Sequence, residues 1–394
     1  MICILTQHFN LNRILLLSIG LWPENSKFRR VQTTLCFSIL TSFVIFQFTA
    51  LITTKCTADF IIKIFSSATF FSFYIIKYNM FWINTHHIRN LLEQLQYLCN
   101  ELKDENEFAI IKKYGNNSKH CTVVLTLFTI CCTFFLILLP IWPQILSTVV
   151  HINESRIQRQ AIQITTEYFF DQEKYFYLIL LHTSAVICIG ATTLAATGTM
   201  LLGCIIHACG LFRITSYRME QIMTTKVFQN INLKNRTTIC NKIFYAVEIH
   251  RKTMKFTNFL LTNFQGSFLF IIAITVTSLS LNIFAVYRSA SLGNNEAILL
   301  HLIIIIIILL YMFIANYAGQ EITNYSNHVY FTAYNIQWYM APLHAQKMIL
   351  FILQRNSQVF NLNVAGLFVS SLECFAMLTK ASMSYFTVLY SMQQ

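Results

Sequence analysis

Charge is what this chain lacks most. Only 11% of its 394 residues are Asp, Glu, Lys or Arg, where a soluble domain carries about 25%. That excludes a disordered segment, a coiled coil and an ordinary soluble domain. Proline (4) and glycine (10) are too rare for a collagen-like or Pro/Gly-rich chain. The 12 cysteines form no CxxC pair and no Cys/His spacing suited to zinc, so neither a metal site nor a disulfide framework is expected. Most of them, including Cys36, Cys131, Cys132, Cys188 and Cys374, lie in apolar runs where a thiol packs as a small hydrophobe. Those runs hold no paired carboxylates, metal-ligand set or activated nucleophile, so the chain does not read as an enzyme and requires no cofactor. The internal repeat of secondary transporters is missing too.

What is present is hydrophobic. Apolar residues make up 55%, mean hydropathy is +0.54, and there are 35 Phe and 18 Tyr. The runs are continuous, not the short alternating segments of an outer-membrane barrel. A spanning helix needs about 20 mostly apolar residues, and runs of that kind cover 35–54, 60–83, 121–142, 175–212, 256–287, 297–320 and 369–391. The expected fold is all-α: a polytopic membrane protein with seven transmembrane helices in one domain, 1–394. Lys63 and Lys77 sit toward the ends of the second run, where lysines can snorkel. The overlong fourth and fifth runs predict helices that continue beyond the bilayer. Residues 14–21 read as a short amphipathic or interfacial helix. Residues 343–353 are too short to span and read as a helix packed in a cytoplasmic layer.

Most of the 28 Lys and Arg fall before the first run and in the connections 2–3, 4–5 and 6–7. The positive-inside rule then places the amino terminus in the cytoplasm and the carboxyl terminus outside. A G-protein-coupled receptor has the opposite orientation, and neither an Asp-Arg-Tyr nor an Asn-Pro-x-x-Tyr motif occurs. The basic stretch 210–255 fits retention near anionic membrane lipid rather than nucleic-acid binding. The acceptor Asn153-Glu154-Ser155 falls in an expected extracellular loop, so Asn153 is the expected glycosylation site. Asn116, Asn235 and Asn324 fit the same pattern on the inner side.

Several strings resemble those of insect odorant receptors. They are Gly20-Leu21-Trp22-Pro23, the stretch HACGLFRITSYRME at 207–220, the run 325–360 with Tyr334-Asn335-Ile336-Gln337-Trp338-Tyr339 and Gln346-Lys347-Met348, and the ending KASMSYFTVLYSM at 380–392. The related gustatory receptors close on Thr-Tyr and Gln-Phe, where this chain has Ser384-Tyr385-Phe386-Thr387. The resemblance implies the odorant-binding subunit of a ligand-gated, non-selective cation channel, a tetramer formed with a co-receptor subunit. It implies a small volatile or hydrophobic ligand and the dendritic plasma membrane of olfactory neurons. It also divides the chain into a cytoplasmic amino-terminal segment 1–33, anchor regions 208–258 and 319–366, and a pore-lining last span 367–394.

The last run carries its polar residues on one helical face: Glu373, Met377, Lys380, Ser384, Val388 and Ser391, opposite Phe375, Leu378, Met383, Phe386 and Leu389. Such a face needs partners or water, so it fits either an interior helix or a pore; the resemblance selects the pore. Lys380 facing cations is electrostatically awkward. Val388, with Ser384, Ser391 and Met392 on its face, matches the family's constriction. The resemblance puts ligand among spans two, three, four and six in the outer half. Residues there are Phe70, Phe71, Tyr74, Phe135, Leu138, Trp142, Leu180, Thr183, Ile187, His301, Ile304 and Ile305. Each of these also fits plain packing, and His301 and Thr183 are the hydrogen-bonding candidates. Tyr334, Trp338 and Tyr339 are expected on one amphipathic helix at the intersubunit anchor.

Overall fold

The computed structural model describes residues 7–392 apart from 25, 54–56, 103, 142–163, 170–173, 225–232, 358–359, 361 and 365. Trp142 and Asn153 lie outside the described residues. The chain is a bundle of ten helices among the described residues: α1 (Asn10–Ser18), α2 (Lys27–Thr53), α3 (Ala58–Ile83), α4 (Thr85–Asn100), α5 (Glu105–Leu138), α6 (Phe176–Thr224), α7 (Leu233–Ser291), α8 (Asn295–Asn335), α9 (Leu343–Ser357) and α10 (Leu372–Ser391). A two-residue antiparallel ladder, β1 (Asn363–Val364) with β2 (Phe368–Val369), interrupts the all-helical pattern before α10. Gly366, at φ +74°, turns it.

Helix starts follow local chemistry. Thr57, Asp104, Asn294 and Ser371 each accept a backbone N–H of the first turn, capping α3, α5, α8 and α10. Glu105 and Glu107 sit in the first turn of α5, where negative charge suits the helix dipole. Six helices, α2, α3, α5, α6, α7 and α8, are long and apolar enough to cross a membrane. The chain is therefore a multi-pass membrane protein. α10 has the length, 20 residues, and carries Glu373, Lys380 and several hydroxyl residues; it is not among these six. α6 and α7 contain 49 and 59 residues. At 1.5 Å per residue they run about 75–90 Å, well past a hydrocarbon core of about 30 Å.

Their extensions meet at the basic end of the bundle. The Arg218 fork of α6 grips Glu107 of α5 at 2.6 and 2.9 Å. Lys252 of α7 bridges Glu101 at 2.6 Å and Glu248 at 2.9 Å. α9 packs on α7 and α8 at the same end.

Three expectations are refined or corrected. First, α1 is amphipathic, as expected: Arg13 and Ile14 are exposed, while Phe9, Asn12 and Leu16 are buried as a wedge against α5 and α6. Asn12 Nδ2 donates to Thr199 Oγ1 at 2.8 Å. Gly115 and Gly203 make room for it: a Cβ on Gly115 would stand 2.6 Å from the His8 ring, and one on Gly203 would stand 2.8 Å from Phe9. Second, Trp338 and Tyr339 do not extend the helix that carries Tyr334. α8 stops at Asn335, Ile336 is extended at ψ 144°, and Trp338–Met340 is a separate 3-10 turn. Pro342 accounts for part of this, because it drives Ala341 out of the helical region, to ψ 160°. Third, Lys77 does not snorkel. It is wholly buried, because α3 continues to Ile83 and turns this lysine toward α8.

Candidate functional site

Among the described residues the bundle carries an apolar cavity of about 210 Å³, partly open at its edge. Its walls come from α3 (Tyr74), α5 (Phe128, Thr129, Cys132, Thr133), α6 (Ala191, Ala195, Gly198, Thr199), α7 (Phe268, Ile272) and α8 (Ile307, Tyr311, Asn316). The connector adds Val364, Phe368 and Ser370, and α10 adds Cys374 and Leu378. The space exists because α6 runs through GATTLAATG at 190–198. Small residues there let helices approach closely but fill little volume. At Gly190 the approach is closest: a Cβ would stand 2.1 Å from Cδ2 of Tyr74.

The polar groups of this wall are mostly committed. Thr129, Thr133 and Thr199 donate to carbonyls four residues back, at 2.7–2.8 Å. Asn316 Nδ2 donates to Met312 O at 2.9 Å, and Ser370 Oγ donates to Ala315 O at 3.1 Å. No carboxylate lines the cavity among the described residues. Behind the wall, the Lys77 ammonium lies 4.6 Å from the ring centroid of Tyr311. Its Nζ has no hydrogen-bond partner. An apolar enclosure with a few fixed polar groups suits a small hydrophobic ligand.

Of the ligand residues expected from sequence, Tyr74 lines this cavity. Phe70 and Phe71 meet Tyr74 edge to face with ring centroids 4.8 and 5.9 Å away, in a cluster that Phe43 of α2 extends. Thr183, Ile187 and Ile304 are buried but belong to solid packing. The Thr183 hydroxyl is spent on Ile179 O. His301 Nδ1 pairs with Asn282 Oδ1 at 2.9 Å, and Asn282 is itself tied to Ser66 O. Leu138, Leu180 and Ile305 are half-buried, and Phe135 is 56% exposed on the outside of the bundle. The open space lies closer to the basic end than these residues. Tyr311 and the small-residue run of α6 were not singled out from sequence. The cluster of Gly, Ala and Thr within a spanning run was the available signal.

α10 is packed on one side only. Cys374, Leu378 and Ser382 are buried. Phe375, Phe386 and Tyr390 meet Phe313, Phe284 and Tyr287 at 5.6, 6.5 and 5.1 Å. Glu373, Met377, Lys380, Ser384, Val388, Ser391 and Met392 are all exposed in the single chain. Met383, expected on the packed side, is exposed as well. At its foot the helix is pinned to α8. Ser371 N donates to Asn316 Oδ1 at 3.3 Å, and a Cβ on Gly319 would stand 2.2 Å from Ser370 Oγ. At the basic end Tyr334 and Tyr339 are exposed, while Trp338 tucks against the core.

The model of the 7tm Odorant receptor family matches residues 57–383. The fold is similar to that of the olfactory receptor OR5 of the insect Machilis hrabei solved in complex with eugenol. That likeness has a TM-score of 0.80 and 15% identity, covering 98% of each chain. A second structure of the same receptor gives a TM-score of 0.76 at 15% identity, again over 98% of each chain. Among curated protein sequences, none matches this chain.

Proposed function

The chain belongs to the 7tm odorant receptor family, and from that premise we propose that it is the odorant-binding subunit of a heteromeric, ligand-gated, non-selective cation channel. The observation that carries this reading is the reach of the cavity. One apolar space touches helices α3, α5, α6 and α8 and also the foot of α10, at Cys374 and Leu378. A ligand filling it presses on the helix whose polar face is left bare in a single chain. Four such faces around an axis make a water-filled path, with Val388 and Met392 near its narrow outer end and Ser384 and Ser391 between hydrated layers. A ligand can act this way only by fitting the open arrangement better than the closed one.

α10 is then the seventh span, crossing outward from a cytoplasmic amino terminus, and the receptor sits in the plasma membrane of olfactory neurons. Phe70 and Phe71 back the outer wall of the site through Tyr74, with Ile187 and Ile304 packed beyond them. Eugenol, bound in the Machilis receptor, is of the size and apolarity this space favours. The exposed aromatics at the basic end pack against neighbouring subunits, including the family's co-receptor.

The test is whole-cell current in cells expressing the chain with and without that co-receptor, with cytoplasmic GTP removed. Odorant-evoked, co-receptor-dependent cation current without GTP is the expected result. A response that needs GTP would make the protein a metabotropic receptor and end the channel reading.

A further inference from the structure

We infer that the cavity is a hydrogen-bond donor site that takes small apolar ligands bearing a carbonyl-type acceptor oxygen, with the Tyr311 phenol as the principal donor and Lys77 as its polarising partner. The inference rests on the cavity being the ligand site proposed above, and adds what that site selects.

It follows from a census of the wall. Every threonine and serine hydroxyl named there donates to a backbone carbonyl, and one Asn316 N–H does the same. A hydroxyl has one proton to give, so these hydroxyls have none left for a ligand, while the Asn316 amide keeps its second N–H. Two phenols remain beside it. Tyr74 and Tyr311 both line the cavity, and neither hydroxyl makes a hydrogen bond among the described residues. Tyr74 is buried and Tyr311 half-buried; once a ligand displaces water from them, a donor left without a partner is costly, so a ligand that supplies an acceptor gains more than one that supplies hydrocarbon alone.

The sign of the local field points the same way. The Lys77 Nζ faces the Tyr311 ring at 4.6 Å, is fully buried and has no hydrogen-bond partner among the described residues, and the polarising role belongs to its protonated form. A cation on the face of a phenol draws density from the ring. In a medium of low dielectric that makes the O–H a stronger donor. With no carboxylate in the wall to offset it, the negative end of a ligand dipole belongs at Tyr311.

The experiment uses two molecules of one skeleton, acetophenone and ethylbenzene. Saturation binding to the purified complex with its co-receptor is measured beside evoked current. The wild type is expected to bind the ketone about tenfold more tightly than the hydrocarbon, the scale of one good neutral hydrogen bond. Tyr311→Phe should bring the two to within about twofold, with ethylbenzene binding unchanged, which also shows that the variant is folded. Lys77→Met should reduce the preference while keeping Tyr311 in place, and Tyr74→Phe should reduce it less than Tyr311→Phe. Equal binding of the two probes by the wild type, binding of neither, or a ketone preference that survives Tyr311→Phe would each overturn the inference. Tyr311-dependent ketone binding without current would leave it standing and sink the channel reading instead.

Discussion

A missing methyl group sets how close α3 comes to α6. The Gly190 Cα stands where a Cβ would lie 2.1 Å from the Tyr74 ring, so Gly190→Ala must push that ring toward the cavity. Overpacking of this kind costs about 1–3 kcal/mol. The expected outcome is a receptor that still reaches the surface but shows a rightward dose-response shift for its larger ligands. Unchanged potency across a ligand size series would show that Tyr74 is not a wall of the site. A second residue-scale prediction concerns His8, which lies outside the spans. Burial, then Lys119, then Lys112 hold its pKa below the usual histidine value of 6.5. The opposing groups on neighbouring elements are these two lysines of α5 and His207 of α6, 5.7 Å away ring to ring. A depressed histidine stabilises the docked state above the unfolded pKa and loses that contribution as pH falls through the folded one. The protection of α1 amides, after correction for the intrinsic exchange rate at each pH, should therefore fall below about pH 6.5. His8→Gln should flatten that dependence, and wild-type protection indifferent to pH would refute it. Tyr74 was legible in the sequence because an aromatic in a spanning run has few roles. Lys77 was misread because position in a run does not reveal which way a side chain points.

At the scale of the element, α10 was the most legible part of the chain. A four-three spacing of polar residues fixes one face whatever surrounds the helix, and every member of the expected face is exposed while Cys374, Leu378 and Ser382 are buried. The connector before it was not legible. Its ladder is two residues long on each strand, too short for an alternating pattern to register, and its docking depends on Gly319 and Asn316, which are distant in sequence. The helix that was to carry Trp338 ends at Asn335, and Pro342 explains only why Ala341 leaves the helical region. The gate prediction belongs here. Val388 is 55% exposed in the single chain, and an apolar ring in a narrow pore excludes water. Val388→Gln should raise ligand-independent current or alter relative permeability under bi-ionic conditions, with odorant potency changed less. In the heteromer proposed above the effect should be partial, with co-receptor subunits filling the other positions. Basal current and permeability ratios equal to wild type, at matched surface expression, would place the constriction elsewhere on the helix.

For the whole molecule, the basic end carries the largest unsatisfied surface. Phe331, Tyr334, Tyr339, Leu343 and Phe351 are between 60% and 68% exposed. Apolar area of this extent outside the bilayer marks an interaction site. Phe351→Asp should lower co-assembly with the co-receptor, at about 2 kcal/mol or more if the residue is a central anchor. Channels that do assemble should keep their ligand ranking. Normal assembly on native gels would remove this patch from the interface. Orientation has its own check. Glycosidase treatment should shift wild-type protein but not Asn153→Gln, and sugar on Asn235 would invert the topology. The multi-pass, all-helical class was readable because the bilayer imposes it on composition; the cavity was not, because it depends on which helices meet. The wedge α1 carries one more consequence, in time rather than space. Asn12 and Thr199 lie 187 residues apart. At about 5–20 residues per second a ribosome needs roughly 10–40 s to travel between them. The first helix to be synthesised is thus among the last to be seated, and Phe9 and Leu16 wait bare until α6 has been made. That interval is a window for chaperones, and a bulky amino-terminal fusion should lower the yield of mature receptor by obstructing a docking step that the finished protein no longer performs.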